Sequence, residues 1–161
     1  MKNITKAIIY LQMAAMLMSA ALAGPAAAHK QVPLHGSIQA VESPNVHFPT
    51  LFVHSSGSGN ATHLGKFTVT HDFEVDLPTF IAIGSAQFIA ADGSSIFTDT
   101  IALGAAPIPT ETPDVVLITE LHTITGGTGR FAGATGSIIV ERLLNLVTNI
   151  TAGSFDGTIS Y

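Results

Sequence analysis

From Lys66 to Leu77 polar and apolar residues alternate almost without a break. Phe67, Val69, His71, Phe73, Val75 and Leu77 fall on one face of an extended chain, and Lys66, Thr68, Thr70, Asp72, Glu74 and Asp76 fall on the other. A period of two predicts a strand with one buried and one wet face, and Pro78 ends it. The run from Phe80 to Ala91 meets Asp92-Gly93, a pair favoured in tight hairpins, and Ser95 to Leu103 returns antiparallel to it. Pro107, Pro109 and Pro113 cannot donate to a ladder, so Ala105 to Asp114 reads as a loop. Val115 to Ile124, Ser137 to Val147 and, after a turn near Asn149, Ser154 to Tyr161 are further strands. Leu34 to Val41 and Leu51 to Ser58 precede them, and no helical period appears after His29. About eight strands predict an all-β fold, an eight-stranded antiparallel β-barrel. At that strand number the interior is just filled by side chains or holds one small ligand.

Three runs are apolar at both parities: Phe80 to Ile83, Val115 to Ile118, and Leu143 to Val147. A barrel with a solvated exterior does not need this, so a homo-oligomer, trimer or dimer, is expected to cover part of the outer wall. An outer-membrane barrel would instead carry aromatic girdles, and this chain has few aromatics and no Trp.

The first residues read as an address. Lys2 and Lys6 precede an uncharged run from Ala7 to Leu22, and Ala26-Ala27-Ala28 meets the small-x-small cleavage rule. The run is shorter than the roughly 20 apolar residues that span a bilayer. Residues 1–28 are therefore expected to be a cleaved signal peptide, and 29–161 a single β-barrel domain, secreted or periplasmic, with no transmembrane span after cleavage. Cleavage removes two lysines and leaves Lys30, Lys66, Arg130 and Arg142 against eleven acids, 4 − 11 = −7. Phosphate backbones need clustered cations, so nucleic acid is excluded as a partner. There is no cysteine, which removes thiolate metal sites and disulfides and leaves stability to packing.

Thr125 to Gly136 packs five glycines between two β-branched runs. Gly127-Thr128-Gly129-Arg130-Phe131-Ala132-Gly133 approximates a dinucleotide fingerprint, but that motif needs a helix after it. Here Ser137 to Glu141 reads as a strand, so the glycines shape a turn that sets Arg130 and Phe131 at a sharp reversal beside the barrel mouth. Together with Ala61 to Phe67, Ala91-Asp92-Gly93 and the closing Phe155-Asp156-Gly157-Thr158-Ile159-Ser160-Tyr161, the block resembles exported bacterial proteins of the allene-oxide-cyclase-like or dirigent-like barrel family. The resemblance spans nearly the whole chain after residue 28. It implies an eight-stranded barrel, often trimeric, with an internal pocket that works without metal or organic cofactor. Plant relatives use such pockets to cyclise an unstable epoxide or to orient phenoxy radicals. Dirigent proteins commonly end the motif in Ala-Arg-Gly, whereas this chain has Ala134-Thr135-Gly136, so the cation that could bind a substrate there is missing.

Seven histidines raise a metal reading, but none shows a helical metal-ligand spacing and no metal site is expected. Glu120 and His122 share a strand face, and His71 lies on the apolar face of its own strand. The bland account makes His71 and His122 hydrogen-bonded core histidines. The functional one makes His71, Glu120, His122, Arg130 and Phe131 the ligand-binding residues. No Gly-x-Ser-x-Gly elbow supports a hydrolase. The expected role is to bind or shelter a small apolar molecule in the lumen. The rivals are a cofactor-free isomerase or cyclase or dirigent-like stereocontrol protein, and a structural barrel with a filled lumen.

Overall fold

The computed structural model describes residues 30–102 and 107–161. The expected signal peptide and the end of the expected strand at Leu103 lie outside the described residues. Nine strands form one sheet: β1 (Gln31–His47), β2 (Thr50–Ala61), β3 (Gly65–Asp76), β4 (Ile81–Ala90), β5 (Ser95–Ala102), β6 (Ile108–Pro109), β7 (Val115–Gly127), β8 (Thr135–Asn145) and β9 (Ile150–Ser160). Their order is β5-β4-β3-β2-β1-β9-β8-β7-β6, and pairing of β5 with β7 closes eight of them into a barrel. Every ladder is antiparallel. The two-residue β6 pairs with Val116 and Leu117 at the edge of β7, inside the stretch expected to be wholly a loop. Pro109 fits there because β6 has a neighbour on one side only.

The period of two in β3 has the expected consequence. Phe67, Val69, His71 and Phe73 are buried, while Lys66, Thr68, Thr70, Asp72 and Glu74 are exposed. Phe67, Phe88 and Phe155 meet at ring separations of 5.5–6.1 Å and, with Leu34, Ile38, Ile96, Ile124, Ile138 and Ile159, fill one half of the lumen. Inward-facing glycines let these rings in: a Cβ at Gly59 would collide with Phe67, and one at Gly36 with Phe155. This half leaves no space for a water molecule.

The glycine block caps that half. It is a single 3-10 turn, Gly129–Phe131, between β7 and β8. Gly129, Gly133 and Gly136 adopt φ of 58°, 76° and 143°, which an L side chain rarely allows. The turn folds Phe131 inward until it is fully buried against Tyr161, at 5.0 Å between rings. Leu64, in the β2–β3 connection, is buried beside this cap. The block is therefore a plug with a strand after it, as expected, and it closes an end of the barrel rather than opening a mouth.

Candidate functional site

In the other half of the lumen the inward parity turns polar. Glu42 on β1, Ser55 on β2, His71 on β3, Thr98 and Thr100 on β5, Glu120 and His122 on β7, Arg142 on β8 and Thr151 on β9 are all buried. Each sits on the same strand face as an apolar core residue, so the backbone that builds the plugged half also delivers these groups.

Arg142 is the hub. Its Nε and Nη2 donate to Glu120 Oε1 at 3.1 and 2.7 Å, and its Nη1 donates to Glu42 Oε1 and, at 3.1 Å, to Thr151 Oγ1. The guanidinium also lies 5.8 Å from the Phe73 ring centre. His122 continues the chain. Its Nε2 faces Glu120 Oε2 at 3.3 Å, and its Nδ1 faces the hydroxyls of Thr98 and Thr100 at 3.0 and 3.1 Å. An ionised carboxylate only accepts, so Nε2 carries the hydrogen of that contact.

The two glutamates are held in opposite directions. Burial pushes Glu120 up, but the hydrogen bond from His122 and the charge of Arg142 outweigh it and hold the carboxyl at about 2. At Glu42 burial wins over Arg142, and its pKa stands above the ordinary value. The geometry explains the difference, since Glu120 takes two of the guanidinium N–H groups and the imidazole, whereas Glu42 takes one. Burial opposes the charge on Arg142, yet its two carboxylates raise its pKa further. With two acids to one guanidinium, this layer holds its carboxylates unequally: Arg142 and His122 lower Glu120, while burial raises Glu42.

His71 completes the layer without joining the network. It stacks on Phe73 at 5.4 Å and meets Phe88 and His122 edge-on at 5.9 and 5.3 Å. Its Nε2 is buried with no hydrogen-bond partner. Burial, then the neighbouring His122, lowers its pKa to about 3, so the ring is neutral at physiological pH.

Of the five expected ligand-binding residues, the structure thus brings His71, Glu120 and His122 together. Arg130 and Phe131 lie at the plugged end. There Arg130 pairs with Asp92 at 3.0 Å, donates to the Leu64 carbonyl at 3.3 Å, and rests 4.8 Å from the Phe131 ring. Thr135, where the missing arginine would stand, is exposed. The cation of the lumen is instead Arg142, which sequence reasoning passed over along with Glu42. Among the described residues no group of three His, Asp or Glu side chains is placed to hold a metal ion.

A further concavity lies on the outer wall. A groove of about 620 Å³ crosses β2 to β5, where two exposed rows face it: His54, Asp72, Ser85 and Asp99, and beside them Phe52, Glu74, Ile83 and Ile101. His54 Nδ1 is 2.8 Å from Asp72. None of the five expected residues lines this groove.

No family model and no curated protein matches the sequence. The fold does have a solved counterpart. The chain is similar to the pterocarpan synthase dirigent protein GePTS1, with a TM-score of 0.58 over 86% of this chain and 95% of that one, at 12% identity. The molecule is an all-β, dirigent-like barrel. At this identity the likeness establishes the fold alone.

The neutral His71 supplies a pH test. In an unfolded chain its imidazole titrates near 6.5, and in the barrel it takes no proton until about pH 3. Below 6.5 the unfolded state binds a proton that the folded state refuses. Stability is therefore intact above 6.5 and lost as pH falls towards 3, at about 1.4 kcal/mol per unit. The window of Glu120 opens only below 4.5. Urea unfolding at pH 7 and 4.5 is expected to cost the wild type roughly 2–3 kcal/mol more than His71→Leu; equal losses would contradict the assignment.

Proposed function

We propose that this barrel binds a small, largely apolar molecule bearing a hydroxyl or carbonyl group, and holds that group against the layer formed by Glu42, Arg142 and Glu120. The observation that carries the reading is the placement of this charged layer in a lumen whose other half is apolar and full. A purely structural barrel gains little from it, because replacing buried ion clusters by well-packed apolar residues is often neutral or stabilising. The guest enters at the end formed by the β1–β2, β3–β4 and β8–β9 turns, since the opposite end is plugged by Phe131. No cofactor is part of the proposal.

The raised Glu42 favours a second reading, that the layer guides a proton transfer in the bound molecule. A carboxyl that holds its proton above the ordinary range, beside one that stays ionised, is the arrangement of a general acid with an electrostatic partner. The similar structure is described as a pterocarpan synthase and dirigent protein, which supports a role in directing the fate of a reactive small molecule.

The outer wall supports self-association. Val41 lies opposite Ile150 and Leu143 opposite Leu117, which makes an apolar tract across β1, β9, β8 and β7, with Ile139 opposite Leu121 beyond the exposed Glu141. Val41, Ile139, Leu143 and Ile150 are 44–53% exposed. A second copy covering this tract makes a dimer or trimer.

Native mass spectrometry of protein purified without heat or solvent is expected to reveal a retained small molecule. Glu42→Gln and Arg142→Met should each weaken its retention tenfold or more, since hydrogen bonds to charged groups are worth about 1.5–3 kcal/mol. Equal retention by both folded variants would overturn the placement of the guest. Light scattering on Leu143→Glu is expected to report a monomer where the wild type is oligomeric, and an unchanged mass would exclude this tract as the interface.

A further inference from the structure

The two ends of the barrel differ in a way that neither the fold nor the buried layer requires. At the plugged end the connections turn their large hydrophobics inward: Leu64 and Phe131 are buried. At the other end they turn them out. Val46 and Phe48 at the β1–β2 turn are 63% and 81% exposed, Phe80 and Ile81 at the β3–β4 turn 44% and 60%, and Leu146 and Val147 at the β8–β9 turn 54% and 71%. Ile108, in the connection from β5 to β7, adds a fourth side. These connections join different strand pairs around the closed sheet, so their apolar tips circle one end of the barrel. Exposed apolar groups gathered this way mark an interaction surface.

We propose that this ring of loop tips docks the barrel, end-on, on a neutral or zwitterionic lipid surface. Shape and charge select the occupant. A peptide or a groove-binding partner covers one side of a ring, whereas a lipid surface meets all four connections at once. A second copy facing tip to tip would bring like charges together, because Asp76, Glu111 and Asp114 stand at these same connections. Like charges set opposite one another across a two-fold interface are repulsive. Those carboxylates suit the choline cations of a zwitterionic surface and are repelled by anionic lipid. Glu74 and Asp72 on the outer wall keep the contact shallow, since a charged side chain does not enter the acyl region cheaply. Docking in this way sets the unplugged end of the lumen against the lipid phase. The inference goes beyond the proposed function and stands without a bound guest.

The test is co-sedimentation of the purified chain with large vesicles of phosphatidylcholine, and of phosphatidylcholine mixed with phosphatidylglycerol. Binding to the pure phosphatidylcholine vesicles is expected, with a lower affinity for the mixture at low salt. The double variant Phe48→Ser/Val147→Ser should lose tenfold or more in partitioning, and Ile89→Ser, on the wall towards the plugged end, should lose none. Comparing variants cancels any contribution of residues 1–28. The tip side chains are exposed, and matching thermal midpoints certify that each variant is folded. Failure of the wild type to sediment, equal loss in Ile89→Ser, tighter binding to the anionic mixture, or a tip-to-tip dimer abolished by the double variant would each overturn the proposal.

Discussion

Closure of the sheet by the β5–β7 ladder is the constraint from which the rest follows. Once eight antiparallel strands meet, every second residue is committed to a narrow lumen that side chains fill or that holds one small ligand. An inward residue is then buried, and a buried polar group calls for a hydrogen-bond partner. The chain meets this with glycines where rings must cross the axis, with Phe131 folded in as a plug, and with a hydrogen-bonded cluster where the inward residues are charged.

That cluster is expensive. Arg142, Glu120, Glu42 and His122 all leave water, and attraction between buried ions commonly does no more than offset such desolvation. The network satisfies both glutamates, with burial holding the pKa of Glu42 above its ordinary value, and it leaves the neutral His71 with a buried ring nitrogen that has no partner. Native cores rarely leave such groups in a layer whose only task is packing. The imbalance, more than the presence of charge, supports the proposal that this layer serves a guest.

Much of the fold is legible in the sequence because a period of two survives any tertiary context. Phe67 to Phe73 announce β3 by alternation alone, and Asp92-Gly93 and Asn149 mark turns that the backbone takes. Boundaries are less legible. β1 runs on to His47, past the Val41 at which its apolar signal fades, because pairing with Thr50 to Ser56 of β2 carries it through Glu42 and Ser43. The same lapse hides Glu42. Arg142 is open to inference, since it shares the parity of Ile138, Val140 and Leu144, and a lone charge on an apolar face asks for a buried counter-ion. That Glu42, Glu120 and Arg142 meet is not readable from their strands singly, because it depends on β8 lying between β7 and β9 and on β9 pairing with β1. The glycine block announces a turn, but the direction of that turn depends on where Phe131 can be buried.

If the Arg142 layer is kept for a guest and not for the fold, the barrel should stand without it. The direct measurement is the urea unfolding free energy of Glu42→Leu/Glu120→Gln/Arg142→Met, in which the amide introduced at position 120 still offers an acceptor to His122. A layer that serves a guest predicts a variant that unfolds with a free energy equal to or above that of the wild type, as replaced ion clusters often do. A loss of about 3 kcal/mol or more, the cost expected when a buried network that holds the fold is broken, would contradict it and return the barrel to a structural role.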